Sequence, residues 1–231
     1  MKRIVLMMSV CSLFLFASCS SKTFEPLTCS NPWKDDYRDI SSMKDYGKWG
    51  TYNVHDPSCK LFGDRYYMYS TDAIFGENKK EIQESNLPFG NIQVRKSKDL
   101  VHWEFAGWAF SEIPAEAKNW VLDNSGGRGA TNIWAPYILR YNDKYRLYYS
   151  VSAFGRQTSY IGLAESDSPE GPWTQKGCVV KTKTGDNMNA IDPSIVVNPE
   201  TGEHWMHYGS YFGGLYCVKL NPETGLTMHE G

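Results

Sequence analysis

Three stretches of this chain repeat one design. A repeat constrains a fold more tightly than composition does, because each copy must bury its apolar face against the next. The copies are DPSCKLFGDRYYMYS from Asp56, APYILRYNDKYRLYYS from Ala135 and DPSIVVNPETGEHWMHYGS from Asp192. Each starts on a residue followed by proline, runs as a short apolar strand, turns, and returns as an aromatic strand ending in serine. The turns are Gly63-Asp64, Asn142-Asp143 and the longer NPETGE, which between apolar runs predict β-hairpins. Each hairpin is followed by alternating apolar residues: IQVRKSKDLVHW from Ile92, IGLAESDSPEGPW from Ile161 and LYCVKLNPETG from Leu215. That alternation predicts a third strand. In the first two copies a Ser-x-Asp turn and a tryptophan, Trp103 or Trp173, lead into a fourth. Four antiparallel strands of this kind make a blade of a β-propeller, so the predicted fold is all-β. The content of 20 glycines, 11 prolines and 14% aromatic residues agrees with short strands and tight turns. Pro57, Pro136 and Pro193 are spaced more widely than the ~40–50 residues of compact blades, which places insertions at AIFGENKKEIQESNLPFGN and VLDNSGGRGATN.

A proline is tolerated as the first residue of a strand and holds the preceding residue extended, so extended backbones are expected at Asp56 and Asp192. Innermost strands of a propeller surround its axis, and the two carboxylates would meet at one end of the central channel. The middle copy has Ala135 there, so the fold itself does not need a carboxylate at that position. A single Asp-Pro reads as a turn or cap bonded to nearby backbone N–H groups. Two at equivalent positions, flanked by His55 and Asn189, fit acid/base chemistry on a sugar.

The opening MKRIVLMMSVCSLFLFASCS has two cations, an apolar run from Ile4 to Phe16 and small residues before Cys19. It reads as an export signal over residues 1–18, too short to span a bilayer. FASC resembles a bacterial lipobox and implies lipidation of Cys19, the alternative being a plain cleaved signal. Residues 19–45 then form a polar tether and lead-in, and 46–231 an incomplete propeller domain. The expected location is outside the cytoplasm, anchored by lipid to the outer membrane and facing the periplasm or the cell surface. A net charge of −2 with dispersed cations argues against nucleic acid as a partner. Of the 6 cysteines, Cys11 leaves with the signal, while Cys59 and Cys217 replace aliphatic strand residues and are expected to be buried free thiols. No CxxC or close Cys/His spacing suggests zinc, and no metal site is assigned.

VHDPS, NIWAPYI, SAFG, NAIDPS and GSYFGGL stand in an order that resembles glycoside hydrolase family 43, and within it the endo-arabinanases, over Tyr52 to Leu226. The resemblance implies a five-bladed β-propeller, an inverting mechanism and monomeric action on arabinan or arabino-oligosaccharides. It implies that Asp56 is the general base and that Asp192 orients the general acid and raises its pKa. It further implies a substrate site lined by His55, Gly155, Asn189, Ala190, Ile191, Ser210, Tyr211 and Phe212. Trp134 reads either as a stacking wall for sugar or as packing between blades. Two positions depart from the family: Tyr137 stands where Asp is common, and Tyr211-Phe212 where Phe-Trp is usual.

The family's acid is a glutamate that begins the next blade, and one further repeat would place it beyond Gly231. Glu165 falls on a third strand, Glu203 in a turn and Glu230 at the chain end, so none of them fits. About three blades of five are recognisable, which reads as a chain cut short, poorly soluble and without hydrolysis on its own. The family's axial metal, often calcium held in part by a late histidine, finds no full ligand set here. The rival functions are an exo-acting arabinofuranosidase or β-xylosidase on the same fold, and a lipid-anchored glycan-binding propeller without catalysis.

Overall fold

The structure, a computed structural model, describes residues 54–71 and 91–228. The export signal, Cys19, the tether, Cys29, almost all of AIFGENKKEIQESNLPFGN and Glu230 lie outside the described residues. Within them, the strands form three antiparallel sheets, each in simple sequential order. The first holds β1 (His55–Phe62), β2 (Arg65–Thr71), β3 (Asn91–Ser97) and β4 (Glu104–Phe110). The second holds β5 (Ile133–Tyr141), β6 (Lys144–Ser152), β7 (Ser159–Ser166) and β8 (Thr174–Thr182), and the third β9 (Ser194–Val197), β10 (His204–Ser210) and β11 (Gly214–Leu220). These are blades of the propeller expected from the repeat, and each hairpin turns where its turn residues stand. Asn142 and Asp143 both take positive φ, 47° and 60°, the geometry that joins twisted strands by two residues.

Alternation of side chains explains how the sheets stack. From β6, Leu147, Tyr149 and Val151 enter a core shared with Tyr67, Tyr69, Ile92 and Val94 of the first sheet. Tyr148, between them in sequence, enters a second core with Ile195, Met206, Tyr208 and Leu220 of the third sheet. The middle sheet is therefore buried on both faces, which is why its strands read as nearly unbroken apolar runs. Hydrogen bonds reinforce the stacking: Ile138 N–H donates to Ser58 Oγ at 3.2 Å, and Tyr137 Oη donates to the Ile195 carbonyl at 2.7 Å. Arg146, buried between the sheets, pairs with Glu165 at 2.9 Å and donates to the carbonyls of Pro222 and Glu223, each at 2.6 Å.

Three expectations are corrected. The insertion before β5 contains a helix, α1 (Ala115–Asn124), following Pro114 and buried through Ala117 and Val121 one turn apart. The signals for it in the sequence are a proline ahead of AEAK and paired glycines after it. Cys59 and Cys217 are free but exposed, not buried. Cys59 neighbours Ser58, which faces the second sheet, and so points the other way. Cys217 lies opposite exposed His207, on the face of the third sheet turned away from the second. A strand position predicts burial only when both faces of its sheet are covered. Finally, the residues before Pro57, Pro136 and Pro193 are not extended: φ is 48° at Asp56, 42° at Ala135 and 58° at Asp192.

Candidate active site

The positive φ values belong to a β-bulge repeated at the head of each sheet. His55 pairs with Thr71 and Ser58 with Tyr69, so three steps on β1 face two on β2. Trp134 pairs with Ser150 and Tyr137 with Tyr148, giving the same offset on β5. In the third sheet Gly209 N–H donates to the Ile191 carbonyl at 2.9 Å while His207 pairs with Ser194, which repeats it. A bulge bends its strand and re-aims the extra side chain. A left-handed backbone is tolerated by aspartate and is costlier for Ala135, by roughly 1–2 kcal/mol. Hydroxyl groups of the preceding sheet hold two of the bulges: Ala135 N–H donates to Thr71 Oγ1 at 2.7 Å, and Asp192 N–H to Ser150 Oγ at 3.1 Å.

The three bulges converge on one cavity of about 500 Å³, lined by Asp56, Ala135, Asp192, the prolines that follow them and the start of each first strand. Asp56 Oδ2 accepts a hydrogen bond from Thr71 Oγ1 at 2.8 Å. Asp192 lines the cavity as an exposed residue, and the cavity walls around its carboxyl thin its hydration. Reduced hydration, and then the negative charge of Asp56, push its carboxyl from 3.8 up to about 6. The folded protein thus holds this proton more tightly than the unfolded chain does. The resulting stability is full below the unfolded value and is lost as pH rises through about 6. Asp192→Asn, which cannot ionise, should gain in urea midpoint over the wild type at about pH 7 relative to about pH 4. A difference that stays constant with pH would show that the carboxyl is not shifted.

The remaining predicted residues divide by position. His55 is exposed beside Asp56, and Ile191 is half-buried beside Asp192. Tyr211 and Phe212 stack with ring centroids 4.4 Å apart, and Tyr211 is 85% exposed. Trp134 is half-buried, donates from Nε1 to Asn132 Oδ1 at 2.6 Å, and meets the ring of Phe154 edge-on at 6.3 Å. Phe154 itself is 83% exposed. It stands in the SAFG motif but was not singled out from sequence, where only the glycine drew attention. Gly155 has φ of 72° in an exposed turn, and a Cβ there would meet nothing within 4 Å. Asn189 and Ala190 stand behind the wall. Both ends of the Asn189 amide are used, Oδ1 by Ser159 Oγ at 2.6 Å and Nδ2 on Ser210 Oγ at 3.0 Å. Ala190 is fully buried with its N–H on Thr182 Oγ1. Ser210 also accepts from Phe212 N–H at 3.2 Å, so Asn189 acts on the turn that carries the two aromatic rings. Gly213 is demanded by close packing, since a Cβ would fall 2.1 Å from the Asn187 carbonyl oxygen.

Glu165 is on the third strand of its sheet, paired with Arg146 and Lys176, and Glu203 is paired with Lys219. Among the described residues no cluster of three His, Cys, Asp or Glu side chains suits a metal ion. No helix among them is long and apolar enough to cross a membrane.

Comparison with known proteins adds to this geometry. A family model described as glycosyl hydrolases family 43 matches residues 50–231. An extracellular endo-alpha-(1->5)-L-arabinanase of Thermotoga petrophila is 34% identical over 201 residues, 76% of this chain and 37% of its own length. An extracellular exo-alpha-(1->5)-L-arabinofuranosidase of Cellvibrio japonicus is 36% identical over 177 residues, 74% of this chain and 44% of its own. The solved native arabinanase of Bacillus subtilis superposes with a TM-score of 0.64 at 31% identity, covering 78% of this chain and 56% of that one. This chain therefore spans about half or less of the length of the curated relatives it matches.

Proposed function

We propose, from the premise that the chain belongs to the glycosyl hydrolases of family 43, that it builds one side of an inverting, endo-acting site for α-1,5-linked arabinan. The observation that carries this reading is the shared cavity in which two of three equivalent bulges present carboxylates and the third presents alanine. Asp56 would take the proton of a water attacking the anomeric carbon. In inversion that base stands roughly 6.5–9.5 Å from the acid, leaving room for the water. Asp192 would orient the acid and raise its pKa by like-charge proximity. The acid itself has no candidate among the described carboxylates, and we assign it to a part of the enzyme outside this chain's described residues. Trp134, Phe154, Tyr211 and Phe212 offer ring faces to the apolar sides of furanose units.

Relatives of both endo and exo type leave exo action as the second reading. Incubation of the natural-length protein with debranched arabinan separates the two. A ladder of arabino-oligosaccharides with early loss of viscosity is expected. A single small product would favour exo action, and retention of the polymer without cleavage would overturn the enzyme in favour of a glycan-binding protein. Export is supported by the relatives, which are named extracellular, and we place the protein on a membrane through Cys19. In the same experiment the activity should sediment with membranes and become soluble in Cys19→Ser. Soluble activity in both would remove the anchor.

A further inference from the structure

Thr71 occupies the last position of β2 and is buried, 6% exposed, between two groups of opposite hydrogen-bonding character. On one side is the backbone N–H of Ala135 at 2.7 Å, which can only donate. On the other is Oδ2 of Asp56 at 2.8 Å, which as an ionised carboxylate can only accept. The hydroxyl has one proton, so its direction is settled: it accepts from Ala135 and donates to Asp56. The chain of N–H, O–H and carboxylate runs from the second sheet, through the first, to the residue that the proposed function makes the base.

The other junction shows what the fold alone requires. In the ladder register Thr71 corresponds to Ser150 and then to Gly209, opposite His55, Trp134 and the bulge at Ile191 respectively. Ser150 accepts from the N–H of the next bulge as Thr71 does, but the head of its own sheet is Ala135, which has no carboxylate to receive its proton. Accepting the N–H is therefore a general way of holding one blade to the next. Of the two described junction hydroxyls, Thr71 is the one that faces an aspartate at the head of its own sheet and donates to it.

We propose that Thr71 is a positioning residue for Asp56. It holds Oδ2 and fixes the rotation of the carboxylate, so that the other oxygen is the one left to receive the proton of the attacking water. It also ties that orientation to the spacing of the first two blades, because the same oxygen holds the bulge of the second. The assignment rests on the proposed reading of Asp56 as base. A misplacement of about 1 Å in a reacting group can lower a rate on the order of 10²-fold.

The test compares Thr71→Val, which keeps the shape and removes the hydroxyl, with Thr71→Ser, which restores it, in the natural-length protein. On debranched arabinan Thr71→Val should lower kcat by about 10- to 100-fold with KM within about twofold, and Thr71→Ser should recover at least about tenfold of that loss. Crystal structures of the two variants should show the Asp56 carboxylate rotated in Thr71→Val and returned in Thr71→Ser. An unmoved carboxylate in Thr71→Val, an unchanged kcat, or a Thr71→Ser as slow as Thr71→Val would each overturn the proposal. Absence of hydrolysis by the wild type would instead count against the proposed function, and the crystallographic comparison would still decide the role of Thr71.

Discussion

Asp56→Asn, made in the natural-length protein, is expected to lower kcat on arabinan by roughly 10²–10⁴-fold, the range that a positioned general base contributes. Asparagine has nearly the same shape, and its side-chain oxygen can still accept from Thr71 Oγ1. Its amide cannot take the proton of a water. The loss should therefore fall on kcat, with KM and the urea midpoint close to those of the wild type. Ala135 shows independently that the bulge forms without a carboxylate, since it carries φ of 42° at the same position of the second sheet. A variant that keeps more than about a tenth of the wild-type kcat would remove Asp56 from the base role. A variant that loses activity only by unfolding would reveal itself in the urea midpoint.

The largest effect on stability is expected at Arg146. Its side chain is 4% exposed, pairs with Glu165, and satisfies two carbonyls of the segment after β11. Its guanidinium also lies over the Tyr141 ring at 5.2 Å from the centroid. Arg146→Ala would leave Glu165 and both carbonyls with lost partners at the contact of the second and third sheets. Breaking a buried pair in this way costs about 3–5 kcal/mol. Arg140→Ala is the contrast, because the pair of Arg140 with Asp143 is exposed at the tip of a hairpin, where such pairs contribute about 1 kcal/mol or less. Urea unfolding of both variants measures the difference. Equal losses would mean that the contact between the second and third sheets does not depend on Arg146.

The serines that end the repeated hairpins show how far sequence comparison reaches. Matching the copies by eye sets Ser70 beside Ser150, because both close an aromatic strand. The ladder instead sets Thr71 beside Ser150, one residue further on, which is also where counting the same number of residues from each X-Pro places it. A shift of one residue turns a side chain to the opposite face of a sheet. The bond from Thr71 to Asp56 became visible only once the strands were paired, because the two residues are 15 apart in sequence and meet across the ladder. Asn189 was legible as a member of the site, but its burial and its two bonds were not. They depend on Ser159 and Ser210, which come from different strands.

Periodicity, turn residues and the repeated X-Pro were local properties, and they determined the hairpins, the all-β blades and the equivalence of Asp56, Ala135 and Asp192. Each follows from interactions among residues a few positions apart, which any single copy of the repeat contains. Tertiary structure alone decided the rest: the positive φ at the three heads, the raised carboxyl of Asp192 and the exposure of Cys59 and Cys217. These depend on how one sheet is seated on another, through contacts such as Thr71 with Ala135 and Ser150 with Asp192 that join residues distant in sequence.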